Sequence, residues 1–223
     1  MMIGIVYMLI KYVLEVWKEL IMKESKYEEL LNINTCGEQL WSEEIKHYHP
    51  YQATSYEALE TLFEKYNTNE GDYIVDFGCG KGRLNFYINY FFKSSVTGIE
   101  MDKGYYEECL INKENYLNKN NRKSDKIRFE CCLAQEYKIK EYENKFYFFN
   151  PFSVQIFRKI IENILDSYYE NERKIELILY YPSDDYIYYI DNFTPFSLKD
   201  EVRLDYLYDT DCQERFLIYE LMY

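Results

Sequence analysis

From Gly71 onward, short apolar runs alternate with stretches in which apolar residues recur at spacings of three and four. Tyr73-Ile74-Val75 reads as a first strand, and Leu84, Tyr87, Ile88 and Phe91 as one face of a helix. Ser95 to Ile99 gives a second strand, after which Asp102 caps a helix running to about Leu117. Ile127-Arg128-Phe129 begins a third strand, Lys145 to Phe149 forms a fourth, and Val154 to Tyr168 a helix. Ile175 to Tyr181 is a continuous apolar run, as expected of a parallel strand covered on both faces. The last stretch breaks the alternation: Phe196 to Tyr206 and Glu214 to Tyr223 read as two strands joined by a loop, hence an antiparallel hairpin. The pattern predicts an α/β fold, a mostly parallel sheet with helices on both faces and a C-terminal antiparallel hairpin. Ligands of such sheets bind at the carboxyl ends of the strands.

The amino terminus has a different pattern. Met2 to Ile10 is a nine-residue apolar run, too short for a membrane span, which needs about 20 apolar residues. It also lacks the basic start and cleavage site of a secretory signal. From Tyr12 the apolar residues Val13, Leu14, Trp17, Leu20 and Ile21 recur at helical spacing, with Lys18, Glu19, Lys23 and Glu24 on the opposite face. The expected layout is an N-terminal helical extension over 1–45 and a single domain over 46–223, with no integral membrane association.

Composition narrows the class of protein. The 223 residues are 48% hydrophobic and 29% charged, enough for one well-formed core, and the formal net charge is −13. Such a surface repels phosphate backbones, which argues against an extended nucleic-acid partner. The six cysteines are scattered and form no C-x-x-C pair, which points to a reducing, cytoplasmic setting; the adjacent Cys131 and Cys132 are expected on opposite faces of a strand. His47 and His49 have no further ligand at a telling spacing, so no metal is expected.

Chemistry concentrates in Asp76-Phe77-Gly78-Cys79-Gly80-Lys81-Gly82, where a strand meets a glycine-rich turn that opens a helix. A P-loop is excluded because Lys81 is followed by Gly82 and not by Ser or Thr. A dinucleotide fingerprint is weakened because Arg83 stands where its third glycine belongs. The D-x-G-x-G-x-G spacing resembles motif I of the class I S-adenosylmethionine-dependent methyltransferases. A carboxylate beside the glycines favours a ligand with an ammonium and a sulfonium and repels a pyrophosphate. The resemblance implies the seven-stranded Rossmann-like methyltransferase fold, with S-adenosyl-L-methionine as cofactor.

Carried along the chain, the resemblance assigns further residues. Glu100, ending the second strand beside Met101, matches the acid that binds the ribose hydroxyls, although dinucleotide folds place an acid there too. The segment around Leu133-Ala134-Gln135 matches the adenine-lining stretch, with Leu133 where an acid often stands, so Gln135 or a backbone carbonyl would meet the exocyclic amine. Asn150-Pro151-Phe152 resembles motif IV of amino methyltransferases, in which a polar side chain and a carbonyl hold a nitrogen acceptor beside an aromatic ring. The same residues also read as a simple strand end and turn. Tyr51 to Tyr56 is similar to the segment that closes over the methionine end of the cofactor, while Thr54 or Ser55 reads equally well as a helix cap for Tyr56 to Tyr66. The function so implied is methyl transfer to an unidentified small molecule or protein, with a lean towards nitrogen. A nucleic-acid base amino-methyltransferase and a non-catalytic cofactor-binding protein remain as alternatives, and the oligomeric state is not encoded in these patterns.

Overall fold

The computed structural model describes residues 22–37, 51–120 and 126–221. The run Met2 to Ile10, most of the amphipathic stretch from Tyr12, and His47 and His49 lie outside the described residues. Helix α1 (22–31) is followed by an extended strap over 33–37. Then come α2 (Tyr56–Lys65), β1 (Tyr73–Phe77), α3 (Arg83–Phe92), β2 (Ser95–Glu100), α4 (Lys103–Asn120) and β3 (Ile127–Cys131). The second half contains β4 (Lys145–Phe149), α5 (Val154–Glu170), β5 (Ile175–Tyr180), α6 (Asp184–Phe193), β6 (Ser197–Arg203), α7 (Asp205–Tyr208) and β7 (Arg215–Leu221).

The sheet has seven strands in the order β3-β2-β1-β4-β5-β7-β6. β1 to β5 are parallel, while β7 runs antiparallel to both β5 and β6. The mostly parallel sheet and the terminal hairpin are thus as the sequence pattern implies. Side chains alternate between two cores, as strand geometry requires. Ile74, Val96, Tyr147 and Ile178 pack with residues of α2, α3 and α4, including Leu59, Phe86 and Tyr116. Val75, Phe77, Phe146, Phe148 and Leu177 face α5 and α6, including Ile161 and Tyr186. Phe157 and Tyr186 stack with ring centroids 3.7 Å apart, locking α5 to α6. Such a pair contributes about 0.5–1.5 kcal/mol beyond the area it buries.

Three local features differ from the sequence pattern. α6 occupies Asp184–Phe193, where no helix is expected; Ser183 caps it by accepting from the Tyr186 N–H, and Asp184 and Asp185 suit the positive end of its dipole. β3 and β4 are joined through a short 3-10 turn, Ala134–Glu136, which the sequence pattern does not predict. Cys132 lies beyond the end of β3, so the two adjacent cysteines do not straddle the strand. On the outer flank, β6 is exposed along Ser197 to Asp200 and its pairing with β7 is irregular between Leu198 and Asp200.

Candidate cofactor and active site

β1 and β2 end side by side, with Phe77 opposite Ile99, and the chain must turn from β1 into α3 through residues 78–82. Gly78 and Gly80 have φ of 77° and 55°, left-handed backbone that other residues enter only with strain. Space imposes the same choice: a Cβ on Gly78 would lie 2.8 Å from Pro151 Cβ, and one on Gly80 would lie 2.1 Å from the Tyr51 ring.

The N–H groups of this turn face inward. Gly78 and Cys79 both donate to the Ile99 carbonyl, at 2.9 and 3.1 Å, and Gly82 donates to the Cys79 carbonyl at 2.8 Å. Gly80 donates to Glu100 Oε2 at 2.9 Å, and Glu100 Oε1 accepts from the Asp102 N–H at 2.8 Å. Asp102 in turn caps α4 by accepting from Tyr105 N–H at 2.9 Å. The turn is therefore tied to the sheet edge through its own amides, unlike an anion-binding loop, whose amides point at the ligand. The Cys79 thiol packs inward against the site of Gly98, where an added Cβ would meet its Sγ at 2.7 Å.

Two carboxyls flank the turn. Asp76 is buried, and Asn85, the third residue of α3, donates its Nδ2 to Asp76 Oδ2 at 3.0 Å while accepting from the Gly98 N–H at 3.2 Å. Burial, with the Glu100 charge added, pushes the Asp76 carboxyl up to about 8. Glu100 is also raised by burial, with the Asp102 and Gly80 amides acting against the rise. Asp76 lies opposite Tyr147 in the neighbouring strand, whose hydroxyl is 2.7 Å from Thr54 Oγ1.

Around this centre stand the other residues singled out from the sequence. Met101 follows Glu100 and its carbonyl accepts weakly from the Cys131 thiol at 4.0 Å. Ala134 is buried, while the Gln135 side chain holds a buried Oε1 with no hydrogen-bond partner. Asn150 ends β4 with φ 39°, just before Pro151, which covers Gly78. The Phe152 ring is 4% exposed and lies against the same glycine, so it forms a wall of the core and does not project into solvent. Its backbone is held on both sides by Tyr186, which accepts from the Phe152 N–H at 3.2 Å and donates to its carbonyl at 2.6 Å. The Tyr51 ring sits on Gly80 and 4.9 Å from the Tyr105 ring, with Lys81 Nζ over both.

Asn85, Tyr147 and Tyr181 belong to this setting but escape the sequence reading. Tyr181 extends β5 as Asn150 extends β4, since Phe149 and Tyr180 are paired in register. Like Asn150 it precedes a proline with positive φ (50°), and its hydroxyl donates to Asp211 at 2.6 Å. Left-handed backbone before proline is disfavoured, so two adjacent strand ends hold strained residues at the carboxyl edge. A pair of X-Pro steps ending adjacent apolar runs was the available signal. Among the described residues no group of three or more His, Cys, Asp or Glu is placed to hold a metal, and no helix is long and apolar enough to cross a membrane.

Residues 48–150 match the family model described as "Methyltransferase domain". This match spans a little under half of the chain and, with the sheet order above, agrees with the Rossmann-like methyltransferase fold that the resemblance implies. Among solved structures, it is similar to an RNA methyltransferase from Salinibacter ruber in complex with S-adenosyl-L-homocysteine, at 13% identity, covering 76% of this chain and 92% of that one, with a TM-score of 0.52. The human methyltransferase 10 domain containing protein aligns at 9% identity over 91% of this chain and 95% of its own, with a TM-score of 0.56. The cyclase SpnF aligns at 11% identity, 74% and 79% coverage and a TM-score of 0.53, so the same fold also carries a different reaction. No curated protein matches the chain by sequence.

Proposed function

We propose that this chain binds S-adenosyl-L-methionine across the Asp76–Gly82 turn and transfers its methyl group to a small-molecule or protein acceptor, at a nitrogen atom. The observation that carries the reading is the inward pairing of four of the turn's N–H groups. The Gly78, Cys79, Gly80 and Gly82 N–H groups all have partners within the protein, and Asp76 and Glu100 stand beside them. A diphosphate would meet Glu100 and none of these four donors, whereas a cationic, ribose-bearing ligand gains from Glu100 and from Asp76, whose raised carboxyl gives up its proton beside a cation. The unpartnered Gln135 Oε1 adds an acceptor suited to an exocyclic amine.

In this reading Glu100 holds the ribose, Gln135 and Ala134 line the adenine, and Asp76 faces the cationic end, with Tyr51, Thr54, Cys79 and Met101 completing the walls. The cofactor supplies an electrophilic methyl group on a sulfonium. Asn150 and the carbonyl beside it orient an acceptor nitrogen, and Pro151 and Phe152 close the wall behind Gly78. Alignment and exclusion of water are the protein's main contributions to such an in-line displacement. Beyond Asn150, Tyr181 and Tyr180 donate to Asp211 and Glu214, so this flank of the cleft is acidic and disfavours a phosphate backbone. With its reduced cysteines the protein is suited to the cytoplasm.

Thermal unfolding with added ligand tests the cofactor class. S-adenosyl-L-homocysteine is expected to raise the melting temperature by mass action while NAD leaves it unchanged; the opposite ranking overturns the assignment. Transfer of labelled methyl groups to fractions of a cell extract then identifies the acceptor.

A further inference from the structure

We infer that Arg83 is a positioning residue for the cofactor, acting through the strap over 33–37 to hold Tyr51 and Thr54 against the glycine turn. The inference rests on the S-adenosylmethionine reading and concerns residues, 22–37, that lie outside the matched domain segment.

Arg83 is the first residue of α3, directly after Gly82, and is only 6% exposed. A buried guanidinium needs counter-charges and acceptors for its five donors, and it finds them in elements distant in sequence. Glu24 and Glu28 of α1 provide the two carboxylates. Nε donates to Thr35 Oγ1 at 2.7 Å and Nη1 to the Thr54 carbonyl at 3.3 Å, while Cζ lies 4.5 Å from the centre of the Tyr56 ring.

Thr35 relays this order. It is fully buried, and both its N–H and its hydroxyl donate to Glu28, one of the carboxylates paired with Arg83. Its carbonyl accepts from the Tyr51 hydroxyl at 2.6 Å. The Tyr51 ring is the group lying on Gly80, so a closed circuit runs from the glycine turn through Arg83, Thr35 and Tyr51 back to the turn. Lys81 adds a second tie, donating to the Cys36 carbonyl at 3.2 Å and pairing with Glu108 at 2.9 Å. On its other side Thr54 touches Tyr147, the neighbour of Asp76. The strap thus fixes a ring over one end of the turn and a hydroxyl near the acid at the other. A cofactor seated on the turn meets these two groups, and its grip on them depends on α1.

Calorimetric titration with S-adenosyl-L-homocysteine, on the full chain, tests this alongside ligand-free melting temperatures. Tyr51→Phe removes only the hydroxyl that reaches Thr35 and is expected to weaken binding about five-fold, the scale of one hydrogen bond. Arg83→Gln is expected to weaken it more and Arg83→Lys less, since the lysine retains the charge for Glu24 and Glu28 but not the fork of donors. If Arg83→Gln does not fold, Tyr51→Phe still decides. In the wild type, ligand is expected to slow hydrogen exchange of the amides in 33–37, and in Tyr51→Phe to slow it less. Variants that melt earlier yet bind with wild-type affinity, without a change in exchange, overturn the positioning role and leave a structural clamp. A wild-type chain that does not bind the ligand overturns the cofactor reading together with this inference.

Discussion

Glu100 accepts the Gly80 N–H at 2.9 Å, so the acid that ends β2 also stiffens the turn leaving β1. One carboxylate oxygen is turned to Gly80 and the other to the Asp102 N–H at the start of α4. The residue that would bind the ribose is thereby fixed before any ligand arrives, and a fixed acceptor loses less entropy on binding.

Replacing Glu100 therefore has two separable effects. Glu100→Ala is expected to weaken S-adenosyl-L-homocysteine binding by about 1–3 kcal/mol, the scale for a charged hydrogen-bond partner. It also leaves two amides without their acceptor, so the ligand-free melting temperature falls. Glu100→Gln keeps one carbonyl oxygen and is expected to recover part of the stability but little of the affinity. Unchanged calorimetric affinity in both variants would remove Glu100 from the site.

Asp76 predicts a pH dependence of known sign. Its carboxyl is raised from 3.8 to about 8 in the folded chain, chiefly by burial. The folded state then holds a proton that the unfolded state has released. Stability attributable to this proton is fully present below about pH 4 and declines as pH rises towards 8, by at most about 1.4 kcal/mol per unit. Asp76→Asn keeps an acceptor for Asn85 and is expected to be the more stable chain at pH 8 in urea unfolding, while weakening cofactor binding. Parallel pH profiles for the two chains would contradict the buried, protonated carboxyl.

Asn150 combines backbone strain and side-chain chemistry, and two substitutions divide them. Asn150→Ala places a Cβ-bearing residue without asparagine's tolerance at φ 39°, and is expected to cost about 1 kcal/mol of stability. Asn150→Gly relaxes the backbone yet removes the carboxamide equally. Both are expected to bind S-adenosyl-L-homocysteine normally and to lose most turnover once the acceptor is in hand. Normal turnover in the glycine variant would return Asn150-Pro151 to a plain strand end.

The parts of this architecture legible in the sequence are those written in contiguous residues. The run YIVDF followed by alternating glycines marked the β1 turn, and its acid and the acid of β2 are where the spacing put them. Leu133 pointed to Gln135 as a stand-in acceptor in the same way, and the structure leaves its Oε1 buried without a partner. α6 was not: DDYIYYIDNF is rich in aromatic and β-branched residues, and only the Ser183 cap and the two leading acids announced a helix. The Asp76–Asn85 pair and the Arg83 circuit were hidden for another reason. Arg83 is 59 residues from Glu24, and no local pattern ties a buried arginine to carboxylates that far away.

The flank formed by β6 has a consequence for assembly. Lys199, Asp200 and Glu201 line that margin, and its pairing with β7 slips between Leu198 and Asp200. Another chain seeking to add a strand there would meet charge and a broken ladder, so this margin of the described sheet disfavours edge-to-edge pairing.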